Sequence, residues 1–174
     1  MVMPSNTCVH IVVVSDKVVK GEEIDQSGEV ARRIVLGRDR CVSAKTIIGN
    51  NYRDILKVIR DSKERVLVLI GGTGPGPRDI TVDVVESIAW RTLPGFGEIF
   101  RNISYNKIGP RALISRTGLY ILHDGRIVVV LPGSPNAVEI GMNILMDIVD
   151  HLIDEIDRFE GPHLGDIHDK VLSH

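Results

Sequence analysis

The chain has 174 residues, 43% of them apolar and 25% charged, with a net charge of −2. That balance predicts one globular domain over residues 1–174, with no basic stripe for nucleic acid. No apolar run approaches the length of a membrane span, and the start MVMPSNTCVH lacks the basic-then-apolar pattern of a signal peptide. Aromatic residues are only 4% of the chain. The core must therefore come from Val, Ile and Leu, which suits a buried parallel sheet covered by helices. Cys8 and Cys41 have no zinc spacing and read as reduced thiols of a cytoplasmic protein.

In chain order, the β-branched run Val9–Val14 predicts a first buried strand. A polar loop follows, and Ser27 can cap a helix from Gly28 to about Leu36, stopped by Gly37. Val42–Ile48 reads as a second strand. Asn50 and Asn51 suit the start of a helix over 52–61, with Ile55, Val58 and Ile59 on one face. Val66–Ile70 is a third strand, and a helix is expected over 82–90, with Thr81 available to cap it. Pro94-Gly95-Phe96-Gly97 signals a turn before a helix over 98–106, and Phe96 reads as a packing residue. Leu119–Leu122 and Arg126–Leu131, separated by His123-Asp124-Gly125, predict a β-hairpin. Ser134 as N-cap and Pro135 at the first helical position open a long helix to about Arg158. The domain core spans about 8–158, and 161–174 is a polar tail whose His163 and His168 read as solvated.

Strands alternating with helices through short loops predict a doubly wound α/β sheet. Ligands of such sheets bind outside the carboxyl ends of the strands. Three loops fall there: Ser15–Ser27, Gly71–Thr81 and Pro132–Asn136. Each leads into a helix start, where free N–H groups favour anions, so a ligand with several phosphates or carboxylates is expected. Gly71-Gly72-Thr73-Gly74 is neither a Walker A loop, since no Gly-Lys-Ser/Thr follows, nor a dinucleotide fingerprint, since Pro77 stands where a third Gly is needed. Asp79 beside it has two readings. A carboxylate next to a phosphate cradle suits Mg²⁺ between them. The other reading is that it caps the next helix or pairs with Arg78, which the availability of Thr81 as a cap weakens.

Five segments together resemble the molybdenum cofactor biosynthesis proteins of the MoaB/Mog type, the molybdopterin adenylyltransferases. They are Ser15-Asp16-Lys17 with Asp25-Gln26-Ser27-Gly28; Gly71–Gly74 with Arg78-Asp79-Ile80-Thr81; Pro94–Glu98 with Arg101 and Ser104; Ile114-Ser115-Arg116; and Leu131–Pro135. The resemblance implies a three-layer α/β/α fold with a mostly parallel sheet plus a β-hairpin. It implies transfer of AMP from ATP to the terminal phosphate of molybdopterin, with Mg²⁺, by a homotrimer or dimer of trimers. On that view Gly71, Gly72, Thr73 and Gly74 meet a substrate phosphate and Asp79 holds Mg²⁺. Ser104, Ser115, Gly133 and Ser134 face the pterin or its phosphate, and Ser15, Asp16 and Asp25 lie near the site. Glu98, Arg101, Arg116, Pro132 and Pro135 complete the expected substrate-binding set. Glu98 and Arg101, three apart on a helix, could instead pair with each other.

The family usually carries an acidic pair just after the second strand, where this chain has Gly49-Asn50-Asn51. Asn50 then takes the catalytic position without a charge. Two readings follow: an active adenylyltransferase, or a binding or scaffolding relative. The long last helix carries Val138, Met142, Leu145, Val149, Leu152 and Ile156 as one apolar stripe, broadened by Ile144, Ile148 and Ile153. One stripe packs on the chain's own sheet. The added width is compatible with a subunit contact.

Overall fold

A computed structural model describes residues 7–158. The polar tail 161–174, with His163 and His168, lies outside them. Six strands form one mixed sheet: β1 (Val9–Val14), β2 (Val42–Ile48), β3 (Val66–Ile70), β4 (Ala89–Leu93), β5 (Gly118–Leu122) and β6 (Ile127–Leu131), in the spatial order β2-β1-β3-β6-β5-β4. The pairs β1–β2, β1–β3 and β3–β6 are parallel, while β5 runs antiparallel to both its neighbours. The helices are α1 (Asp16–Val19), α2 (Gln26–Gly37), α3 (Tyr52–Asp61), α4 (Thr81–Glu86), α5 (Pro94–Ile108) and α6 (Pro135–Asp157), with a 3₁₀ turn over Gly109–Ile114.

Alternation along the strands sorts the core into two layers. Ile11, Val66, Val68, Val129 and Leu131 pack with Ala31 and Val35 of α2, Phe96 of α5 and Val138, Met142 and Leu145 of α6. Val12, Leu67, Leu69, Val128 and Val130 face the other way, onto Ile55 and Ile59 of α3 and Val82 and Val85 of α4. Both faces of β3 and β6 are therefore dry, which is why those strands are unbroken apolar runs. The three-layer α/β/α architecture expected from the sequence is present. The hairpin turns at Gly125, with φ +84°, and its N–H donates to the Leu122 carbonyl at 2.9 Å.

Four local expectations are corrected. The helix expected over 82–90 stops at Glu86, and Ala89–Leu93 is an edge strand. Trp90, Arg91 and Thr92 are exposed, so this strand has no apolar run to announce it. Pro94 is no turn residue but opens α5, where its missing N–H costs nothing. Asp25 caps α2 in place of Ser27, accepting from the Gly28 N–H at 2.7 Å. Cys8 and Cys41 are not free thiols: they form a disulfide across 33 residues, because parallel pairing brings the amino ends of β1 and β2 together. That pairing removes the argument from thiols to a reducing compartment. Among the described residues no helix is long and apolar enough to cross a membrane.

His10 is a buried histidine of β1. Its ring nitrogens lie 2.9 Å from Ser62 Oγ, just past α3, and 2.8 Å from Thr46 Oγ1 of β2. Burial pushes its pKa below 6.5, against the opposing charge of Glu64. Its contribution to stability is thus full above the unfolded pKa and is lost as pH falls through that value towards the depressed folded one. His10→Gln should flatten the fall in stability as pH drops below about 6.5, as read by urea unfolding.

Candidate functional site

The carboxyl ends of β1, β3 and β6 are level. Val13 sits opposite Ile70, Ile70 opposite Leu131, and the Gly71 N–H donates to the Leu131 carbonyl at 2.8 Å. The three loops singled out in the sequence therefore meet at one place. Gly71 and Gly72 turn with φ of +117° and +68°. A Cβ on Gly71 would lie 2.4 Å from the Val14 carbonyl, and one on Gly72 only 2.2 Å from Thr81 Oγ1. Only glycine fits there. The N–H groups of Gly72, Thr73 and Gly74 have no acceptor among the described residues. Thr81, expected as a possible cap, is instead the fully buried first residue of α4, and its hydroxyl has no partner among the described residues.

Arg116 holds this loop from behind. Its N–H donates to the Thr73 carbonyl at 2.9 Å and its Nε to the Gly74 carbonyl at 3.0 Å, and Nη2 donates to the Asp79 carbonyl. The same guanidinium pairs with Asp83 of α4 at 2.7 Å. The pairing raises the pKa of Arg116 and holds that of Asp83 below the usual carboxylate range. Carbonyls of the loop are thus spent on Arg116 while its N–H groups stay available. Arg101 turns to the carbonyls of Ser115 and Thr117, at 3.2 and 3.4 Å, and Glu98 is exposed on α5.

Two cavities flank the Pro132–Pro135 segment. A compact one of about 220 Å³ is lined by Thr73, Gly74, Ser104, Ser115, Pro132 and Ser134, closed by apolar side chains such as Phe100 and Ile114. Arg111 completes its wall and was not foreseen: a lone arginine in a 3₁₀ turn carries no motif. The other, of about 650 Å³, is bordered by Ser15, Asp25, Gly133 and Pro135, with Glu22 and Glu23. Ser27 fastens the segment between the cavities, donating to the Gly133 carbonyl at 2.6 Å. Asp25 reaches Lys45 at 2.9 Å, so its charge is balanced where it caps α2. Ser134 caps α6 as expected, accepting from the Ala137 N–H at 3.4 Å, with Pro135 opening the helix.

A third cluster lies at the ends of β1 and β2. Asp16 accepts from the Asn50 N–H at 2.8 Å through Oδ1 and from Arg78 at 2.7 Å through Oδ2. Those bonds, the Asn50 N–H foremost, hold the Asp16 carboxyl below its usual pKa. Arg78 therefore pairs with Asp16 rather than with Asp79. Asn51, not Asn50, caps α3, and the Asn50 amide donates to the Arg78 carbonyl. Asp79 folds back on the loop, its Oδ2 accepting from the Gly76 N–H at 3.1 Å. Among the described residues no group of three or more His, Cys, Asp or Glu could hold a metal ion. A cation that brings phosphates with it needs only one or two carboxylates, and Asp79 retains a second oxygen.

The chain also matches known proteins. Residues 10–151 match a family model described as a probable molybdopterin binding domain. The chain is 32% identical over 154 residues to a probable molybdopterin adenylyltransferase of Methanocaldococcus jannaschii, covering 82% of this chain and 90% of that protein. It is 34% identical over 148 residues to the molybdopterin adenylyltransferase of Pyrococcus furiosus, covering 82% and 87%. The crystal structure of the tungsten cofactor synthesizing protein MoaB from Pyrococcus furiosus superposes with a TM-score of 0.83 at 28% identity, covering 90% of this chain and 100% of that one.

Arg116 offers a direct check on the loop. Lysine keeps the charge but loses the planar fork that serves three partners at once. Arg116→Lys should lower stability by about 2 kcal/mol in urea unfolding, with the loss discounted for the partial exposure of the group.

Proposed function

The chain belongs to the family of probable molybdopterin binding domains, and we propose that it is a molybdopterin adenylyltransferase. In that reaction an oxygen of the terminal phosphate of molybdopterin attacks the α-phosphorus of ATP. The bond from that phosphorus to the bridging oxygen breaks, and pyrophosphate leaves with the electron pair. The nucleophile is already an anion, so the site needs no strong base. Positioning and neutralisation of charge carry the rate.

The observation that carries this reading is the row of unengaged N–H groups at Gly72, Thr73 and Gly74, held open by Arg116 where the two cavities approach each other. In our assignment the compact cavity takes the molybdopterin side, with the hydroxyls of Ser104, Ser115 and Ser134 and the charge of Arg111 toward its polar groups. The larger cavity takes the nucleotide, and the glycine loop receives a phosphate between them. Asp79 would hold Mg²⁺, which supplies charge neutralisation on the triphosphate when bound. Consumption of ATP supports a cytoplasmic location.

A second reading, a binding or scaffolding protein without transfer, is favoured by the uncharged Asn50 alone. Pyrophosphate release from ATP and Mg²⁺, with and without molybdopterin, separates the two. We expect release that requires molybdopterin and falls roughly 100-fold or more in Asp79→Ala. Binding of molybdopterin without release would establish the scaffold reading, and turnover without pterin would indicate a different nucleotide-cleaving enzyme.

We also take the chain to assemble as a trimer or a dimer of trimers. The apolar stripe of α6 does not supply the contact by itself, because Val138, Met142, Leu145 and Val149 are buried against the chain's own sheet. The support lies on α5 and the 3₁₀ turn, where Ile99, Ile108, Leu113 and Ile114 are each more than half exposed. So much apolar surface suits a protein contact. Light scattering at micromolar concentration should return the trimer mass or its multiple, and Leu113→Glu with Ile114→Glu should yield the monomer.

A further inference from the structure

The corner of the site formed by Asp16, Asn50 and Arg78 holds a group of interactions that the overall reaction scheme does not use. The Asn50 amide donates to the Arg78 carbonyl. Turning that amide over would set its oxygen against the carbonyl oxygen, so its orientation is defined. Its own Oδ1 is left buried with no partner among the described residues. Residue 50 is thus occupied in tying the glycine loop to the end of β2, with its oxygen turned away from solvent. The charge at this corner belongs to Asp16, one hydrogen bond from the Asn50 backbone. The segment that bears Asp79 is joined to this corner, because the Arg78 carbonyl that Asn50 engages is part of the peptide unit leading into Asp79. Asn50 therefore bridges the two segments that bear the carboxylates.

Apart from the backbone bond from the Asn50 N–H to its Oδ1, Asp16 is masked by one exposed side chain. The Arg78 side chain is 81% exposed and meets the Asp16 carboxylate at 2.7 Å. An exposed pair of this kind is held weakly. A phosphate arriving in the neighbouring loop offers the guanidinium a partner of higher charge and matching fork geometry. We propose that Asp16, rather than residue 50, supplies the second acidic group for the cation that accompanies the nucleotide, and that Arg78 is a latch. In the free protein Arg78 covers Asp16. When phosphates enter, it swings onto them and exposes the carboxylate, so cation and nucleotide load together. The proposal rests on the reading of the chain as a nucleotide-using transferase.

Mn²⁺ binding followed by electron paramagnetic resonance tests it, with and without the non-reacting analogue α,β-methylene-ATP. Asp16→Asn should weaken Mn²⁺ binding in the presence of the analogue at least tenfold. Arg78→Ala should tighten binding of Mn²⁺ alone at least threefold and weaken binding of the analogue. Thermal unfolding of each variant establishes that it is folded, and the exposed Arg78 substitution keeps the test open if Asp16→Asn fails to fold. Unchanged Mn²⁺ affinity in folded Asp16→Asn, or no gain for Mn²⁺ alone in Arg78→Ala, would overturn the proposal. So would loss of Mn²⁺ binding in Asn50→Ala with retention in Asp16→Asn. If the binding pattern holds while the parent releases no pyrophosphate with molybdopterin, the latch stands and the transferase reading fails.

Discussion

A loop that offers its N–H groups to an anion must turn its carbonyls the other way, and buried carbonyls need donors. In this chain one residue meets that need, with its backbone N–H and its guanidinium together. Arg116 takes the carbonyls of Thr73, Gly74 and Asp79, and anchors itself on Asp83. Because Arg116 lies just before β5 and Asp83 in α4, the loop after β3 is braced by two elements beyond its own strand. The positive φ of Gly71 and Gly72 makes the turn possible. Arg116 makes it hold its shape in the absence of ligand, which is the condition for electrostatic preorganisation.

The same economy governs the remaining polar groups. Asp25 both caps α2 and meets Lys45, so a nearly buried carboxylate carries no uncompensated charge. Ser27, freed from capping, fixes Gly133 and with it the wall between the two cavities. Side chains that resemble ligand contacts in the sequence thus also build the cavities they border. Arg116 braces the loop, Asp25 and Ser27 border the larger cavity while fixing α2 and Gly133, and Ser134 caps α6 while lining the compact one with Ser104 and Ser115.

Much of the fold was legible because it is written in buried runs. Val66–Ile70 and the hairpin strands are buried apolar runs, Val9–Val14 is one apart from His10, and Asp124-Gly125 marks the turn of the hairpin. The strand Ala89–Leu93 was not legible, since an exposed edge strand carries neither an apolar run nor a clean alternation. The sequence also showed which loops would converge, since strand order and direction bring the ends of β1, β3 and β6 together. It could not show which residue would cap α2, because Asp25 and Ser27 are both good caps and the choice depended on Gly133, more than a hundred positions away. Nor could it reveal Arg111 or the pairing of Arg78 with Asp16. Those depend on tertiary placement of long side chains that no local pattern records.

The disulfide sits at the opposite end of the β1–β2 ribbon from the site. Cys8 and Cys41 lock the amino ends; the register steps by one residue at a bulge between Val9 and His10, and from His10 opposite Ala44 it runs residue against residue to Val14 and Ile48. Five residues of strand carry that alignment over about 16 Å. A slip of one position would turn every side chain of β2 to the other face. The covalent link anchors the amino ends and the bulge sets the offset, and together they decide from afar which backbone N–H comes to rest against Asp16. The bond acts as the zero mark of a ruler whose reading is taken at Asn50.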